Sequence, residues 1–213
     1  IQRYTNYTPA GIDYLNKINV AWNIGLCDYR HFFGFSSYLR NFIITPLEKS
    51  EINFGNKNIF TTFRGSTHYL NEEVSYQRNK VLQVLNEMQI PSIITGAKVK
   101  KKHYLNELSK SKVSISPFGW GEICYRDFEI MNSMTLLVKP SMNHIYTFPE
   151  FFVPNETYIE VDWYLNDLEN KLINIHYNYD FFKNISVNAY NKFMFYQNNS
   201  IEFVVQFNKI INE

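Results

Sequence analysis

From about residue 56 the chain alternates short apolar runs with amphipathic stretches, and this alternation limits the fold more than any other feature. "NIFTTFRG" (Asn58–Gly65) reads as a strand rich in β-formers ending at a glycine. "NEEVSYQRNKVLQVLNEM" (Asn71–Met88) follows as a helix with an acidic first turn and with Val74, Val81, Val84 and Leu85 on one side. "PSIITG" (Pro91–Gly96) is a second strand, "KKHYLNELSKS" (Lys101–Ser111) a short helix and "KVSISPFG" (Lys112–Gly119) a third strand. A helix to about Ser133, a strand at Thr135–Pro140, a strand at Glu156–Asp162 and a helix from about Tyr164 to Ile175 complete the series. Strands separated by helices at this spacing predict an α/β fold: a parallel, Rossmann-like sheet covered by helices. Tyr179–Glu213 reads as helical with a break near Gln197–Ser200, so a helical C-terminal tail is expected to pack back on the sheet. The resulting division is an N-terminal segment (1–55), a sheet domain (56–178) and C-terminal helices (179–213). In the first of these, "INVAWNIGL" (Ile18–Leu26) could form a strand, but no complete series follows it.

Composition excludes several classes. The 213 residues suffice for a substantial core, and 45% hydrophobic with 19% charged residues is an ordinary globular balance. A net charge of +1 argues against a surface devoted to nucleic acid, while leaving room for a local basic pocket. No apolar run reaches the length of a membrane span, so membrane contact, where it occurs, is expected to be peripheral. Cys27 and Cys124 show no metal-ligand spacing, and a reduced, cytoplasmic setting is expected.

Ligands of open parallel sheets bind beyond the carboxyl ends of the strands, where this reading places Arg64, Gly65, Gly119, Glu122 and Lys139. The stretch "SPFGWGEICYRDFE" (Ser116–Glu129) crowds charge onto a helix that should be buried. With the helix begun at Glu122 and advanced 100° per residue, Glu122, Arg126, Glu129 and Ser133 share one stripe. Asp127 falls on the apolar side and needs a partner, or else the helix begins later. Gly119 and Gly121 allow a close backbone approach, and no Ser, Thr or Asp immediately precedes the helix to cap it. An uncapped N-terminus suits a phosphate, Arg126 could pair with diphosphate oxygens, and Glu129 could accept from a sugar hydroxyl. The plainer alternative is a solvated face with a Glu122–Arg126 pair worth a few tenths of a kcal/mol.

The run "SKVSISPFGWGEICYRDFEIMNSMTLLVKPSM" (Ser111–Met142) resembles the donor-binding half of GT-B-type glycosyltransferases, especially exostosin-like and capsule or lipopolysaccharide branches. "RDFE" (Arg126–Glu129) matches their Arg-x-x-Glu helix, and "FRG" with Arg78 beyond it is similar to the exostosin pattern. The resemblance covers roughly Asn58 to Leu172. It implies a transferase moving a sugar from a nucleotide-diphosphate donor to a glycan or other hydroxyl acceptor, the nucleotide sugar being co-substrate with no further cofactor. Glu129 would hold ribose, and Arg126 with Arg64 or Arg78 the diphosphate, with Gly65 at the same site and Lys139 as a weaker phosphate ligand. Glu122 and Glu129 have six residues between them, whereas many retaining members have seven, so the stereochemistry stays open. No Asp-x-Asp occurs, and metal-independent chemistry is expected, with no metal ligands assigned. Residues 1–55 are too short for a full N-terminal Rossmann domain, so that domain is expected to be reduced or missing.

No catalytic base is evident: Asp28 and His31 in "GLCDYRHFFGF" (Gly25–Phe35) are weak candidates, as is Glu122, and His144 could line the same crevice. A non-catalytic nucleotide- or glycan-binding module remains the alternative. "FRGSTH" lacks the Gly-x-Gly-x-x-Gly of dinucleotide sites, which disfavours dinucleotide or methyl-donor chemistry.

Overall fold

The computed structural model describes residues 20–21, 54–119, 121–145 and 147–212. Its centre is a five-stranded, wholly parallel sheet built from β2 (Ile59–Arg64), β3 (Ile93–Gly96), β4 (Ser111–Ile115), β5 (Leu136–Pro140) and β7 (Ile159–Val161). The order across the sheet is β3-β2-β4-β5-β7. A two-residue strand, β1 (Val20–Ala21), lies within the apolar run Ile18–Leu26 and pairs with β6 (Thr147–Phe148). The helices are α1 (Glu72–Glu87), α2 (Lys101–Ser109), α3 (Tyr125–Asn132), α4 (Leu168–Tyr177), α5 (Tyr179–Asn198) and α6 (Ser200–Asn212). This is the expected Rossmann-like α/β architecture with a helical C-terminal part.

Two apolar layers hold the sheet between helices. On one face Val81, Val84 and Leu85 of α1 and Leu168, Leu172 and Ile175 of α4 meet Val113, Leu136 and Val138. On the other, Phe128, Ile130 and Met131 of α3 meet Leu137 and the α5 residues Ala189 and Phe193. Alternation along β5 produces this division, because successive strand side chains point to opposite faces. The rings of Phe128 and Phe193, 5.9 Å apart, join α3 to α5.

At the amino end of the sheet, Lys57 is buried just before β2. Its ammonium donates to Ser111 O at 2.8 Å, Ser133 O at 3.2 Å and Thr135 Oγ1 at 3.1 Å, with Ser109 O at 3.4 Å. Two of these carbonyls belong to the C-terminal ends of α2 and α3, which lack intrahelical donors. One cation therefore ties the first strand to the ends of two helices.

Taken from β2 onward, the strand order is 2-1-3-4-5, so the connections leaving β2 and β4 run in opposite directions. A crevice opens at that switch point, beyond the carboxyl ends of β2 and β4.

Candidate functional site

A cavity of about 750 Å³ occupies this crevice. The end of β2 supplies Arg64, α1 supplies Arg78, the segment between β4 and α3 supplies Gly119 and Gly121, and α3 supplies Arg126 and Glu129. Six of the residues expected from sequence thus line one space. Gly65 stands directly behind them: a Cβ there would lie 3.0 Å from Arg78 Nη1 and 3.1 Å from Arg126 Nη2. A Cβ at Gly119 would meet Cys124 Sγ at 3.1 Å, whereas one at Gly121 would meet nothing within 4 Å. Close packing therefore constrains Gly119 and leaves Gly121 unconstrained.

Arg78 and Arg126 are held by backbone oxygens. Arg78 donates from Nε to Phe118 O at 3.1 Å and from Nη1 to Ser66 O at 3.3 Å, with its guanidinium 4.6 Å from the Tyr69 ring centroid. Arg126 donates from Nη2 to Arg64 O and lies 4.9 Å from the Phe63 ring centroid, while its buried Nη1 has no hydrogen-bond partner among the described residues. Neither guanidinium forms an ion pair with a carboxylate among the described residues. Burial, and then the Arg126 charge, hold the Arg78 guanidinium below its usual pKa. Two cations fixed side by side around a glycine, neither paired with a carboxylate among the described residues, form a cradle for an anion.

Arg64 is differently engaged. It forms a two-pronged pair with Glu107 of α2, Nη2 to Oε1 at 2.6 Å and Nε to Oε2 at 2.9 Å, and Nη1 donates to Thr95 O. The Glu107 carboxyl is held below its ordinary pKa by the Arg64 hydrogen bonds, and the arginine is raised by the same contact. Arg64 thus braces β2 against α2 while its backbone carbonyl positions Arg126. Glu129 pairs with Lys101 of α2. The buried Tyr104 phenol beside them is pushed well above its usual range, first by burial and then by the Glu129 charge.

Three expectations require correction. The helix begins at Tyr125 rather than Glu122, so Glu122 leaves the stripe shared by Arg126 and Glu129. Glu122 is buried, with Oε1 3.6 Å from His144 Nε2, while its neighbours Gly121 and Ile123 face the crevice. The helix end is not empty either, since the Asp127 carboxylate accepts the Cys124 N–H at 2.9 Å. Lys139 lies away from the ligand space. It is fully buried, 3.1 Å from Asp127 Oδ2, and 5.0 Å from the Phe118 ring centroid. Ser116 Oγ donates to the other Asp127 oxygen at 2.5 Å. Asp127, on the apolar side as expected, thereby finds its partner. Asp28 and His31 lie outside the described residues.

Sequence reasoning missed Lys98, Lys101, Tyr69 and Tyr104, which also line the crevice. The signal was the basic run "KVKKK" (Lys98–Lys102) directly after the β3 end. Its position beside the switch point gives those charges a site to face. Among the described residues no group of three or more His, Cys, Asp or Glu could hold a metal ion, and no helix is long and apolar enough to cross a membrane.

No protein-family model matches the chain, and no curated protein matches it. Among solved structures it is similar to the C-terminal domain of a glycosyl transferase group 1 family protein from Francisella tularensis, at 14% identity and a TM-score of 0.39. That similarity covers 56% of this chain and 61% of the other, so the chain spans less than two thirds of that domain.

Proposed function

We propose that the crevice binds the diphosphate of a nucleotide sugar and that the protein is a glycosyltransferase. The observation that carries this reading is the pairing of Arg78 and Arg126 around Gly65, with backbone carbonyls as their hydrogen-bond partners and no carboxylate pair among the described residues. A diphosphate seated there offers both guanidiniums charge-assisted acceptors and relieves their mutual repulsion. Glu129, two positions beyond the N-terminal turn residue Asp127 on α3, supplies a carboxylate for the ribose hydroxyls, oriented by its Lys101 pair. Lys98 and Lys101 extend the positive wall.

In the transfer step the bond between the anomeric carbon and the β-phosphate oxygen breaks, and the acceptor oxygen bonds to that carbon. The nucleoside diphosphate leaves with the electron pair, and the acceptor proton passes to a base or to solvent. Guanidiniums fixed by backbone carbonyls stabilise the developing charge on the leaving group without reorganising, so the cradle provides a metal-independent route. Asp28 and His31 are retained as proposed acceptor-side groups, with the glycan acceptor approaching the open mouth of the crevice. A cytoplasmic setting, where nucleotide sugars are used, belongs to the same proposal, as does membership of an exostosin-like or lipopolysaccharide branch.

Calorimetry with uridine and guanosine diphosphates tests the site. Arg126→Ala and Glu129→Ala should each weaken binding by about tenfold or more, about 1.4 kcal/mol, with the fold intact by circular dichroism. Binding equal to the parent in both variants removes the assignment. Equal affinity with Mg²⁺ and with a chelator is the metal-independent result. Donor binding without transfer or hydrolysis, for any acceptor, would leave the binding-module reading.

A further inference from the structure

A second cavity of about 750 Å³ lies at the opposite, amino-terminal end of the sheet, between the start of β2 and the α4–α5 junction. Three lysines from separate elements face it: Lys57 before β2, Lys112 on β4 and Lys183 on α5. Lys57 is buried, and its bonds run to neutral oxygens of carbonyls and a hydroxyl. Lys112 sits 5.1 Å from the Tyr179 ring centroid and makes no ion pair among the described residues. Asp180 is the one carboxylate that the described residues place on the wall, and it is paired with Lys183 at 3.1 Å on the open rim.

The cavity is also where α5, twenty residues long, begins. Its N-cap Asn178 makes no side-chain cap, because that side chain donates back to Asn174 of α4. The Tyr179 ring lies between Lys112 and the apolar core, and its buried hydroxyl has no hydrogen-bond partner among the described residues. The rim carries two large rings, Tyr177 and Phe181, each 77% exposed. Exposed aromatic rings around a basic hollow offer stacking surface to a planar group.

We infer that this cavity binds a phosphate monoester carried on a planar ring, of nucleoside monophosphate size. The phosphate sits against Lys112 and Lys183 beside the start of α5. The ring covers Tyr177 and Phe181. The inference is independent of the crevice reading, since no residue is shared between the two spaces.

Uridine 5′-monophosphate is the probe, titrated by calorimetry into the full chain carrying Arg78→Ala and Arg126→Ala so that the crevice is disabled. One site should remain, at least tenfold tighter for the monophosphate than for uridine or for inorganic phosphate alone. Adding Lys112→Ser should weaken it about tenfold or more, and raising NaCl from about 50 mM to about 500 mM should weaken it as screening of a polycationic site requires. Absence of binding in the crevice-disabled chain, equal affinity for uridine, or unchanged affinity after Lys112→Ser overturns the site. Where Lys112→Ser fails to fold, Lys183→Ser on the exposed surface of α5 makes the same test, and unchanged affinity there overturns the site too.

Discussion

Gly65 shows most directly how one residue sets the crevice. Its backbone requires no left-handed conformation; what it provides is the space of a missing Cβ, flanked by Arg78 Nη1 and Arg126 Nη2. An alanine methyl would press on the ends of two flexible side chains rather than on backbone. The fold should accept it, and the guanidiniums should splay. Gly65→Ala is therefore expected to lower affinity for uridine diphosphate about tenfold while urea denaturation shows a loss of stability below about 1 kcal/mol. A loss of stability with unchanged affinity would place the role of Gly65 in the core instead. Asp127 and Lys139 show the limit of residue-level reading. The helical wheel showed that Asp127 needed a buried partner, and the partner is twelve positions away on β5. Lys139 follows an apolar run at a strand end, a place where lysines usually reach solvent. Only the return of β5 beside α3, with the Phe118 and Phe152 rings closing over the ammonium, shows that this one is interior.

At the level of elements, strands and helices were legible because burial on two faces imposes distinct periods. The strand at Ile59–Arg64 and the helix at Glu72–Glu87 fall within a residue of their expected limits. The start of α3 was not legible, since Asp127 caps it from inside the helix, and a forward search for Ser, Thr or Asp before the helix overlooks that arrangement. Lys57 was likewise hidden. It lies in a polar stretch, and its value comes from helix ends that only the fold brings together. Burial pushes its pKa from 10.5 down to about 7. The folded state thus holds the proton less tightly than the unfolded chain. The cost of charging Lys57 is fully present below about pH 7 and disappears as pH rises toward the unfolded pKa near 10.5. Stability from this group therefore increases between those limits, by on the order of 4–5 kcal/mol in all, since a proton held less tightly in the fold contributes about 1.4 kcal/mol for each pH unit crossed. Lys57→Met should flatten that slope relative to the parent, as measured by urea unfolding at a series of pH values. Parallel pH profiles for the two chains would show that the ammonium stays charged throughout, stabilised by its four oxygen acceptors.

For the whole molecule, the strand order matters more than any one side chain, because it decides which loops can share a ligand. Arg64 ends β2, Arg78 lies on the helix that follows, and Arg126 and Glu129 lie on the helix after β4. They meet only because β2 and β4 are neighbours whose connections leave in opposite directions. A diphosphate in that crevice consequently bridges β2, α1, α3 and α2, and links both helical layers through the sheet. Binding that is confined to the folded state raises stability by about 2.7 kcal/mol at a hundred times the dissociation constant. For a chain of this size, each kcal/mol corresponds to roughly 2–4 °C, so saturating uridine or guanosine diphosphate should raise the thermal midpoint by about 5–10 °C. The unfolding transition should remain single, because the ligand connects elements on both sides of the switch point. In the chain carrying Arg78→Ala and Arg126→Ala the rise should fall to less than half at the same ligand concentration. A rise of equal size in that double variant would move the diphosphate out of the crevice, and with it the proposed transferase site.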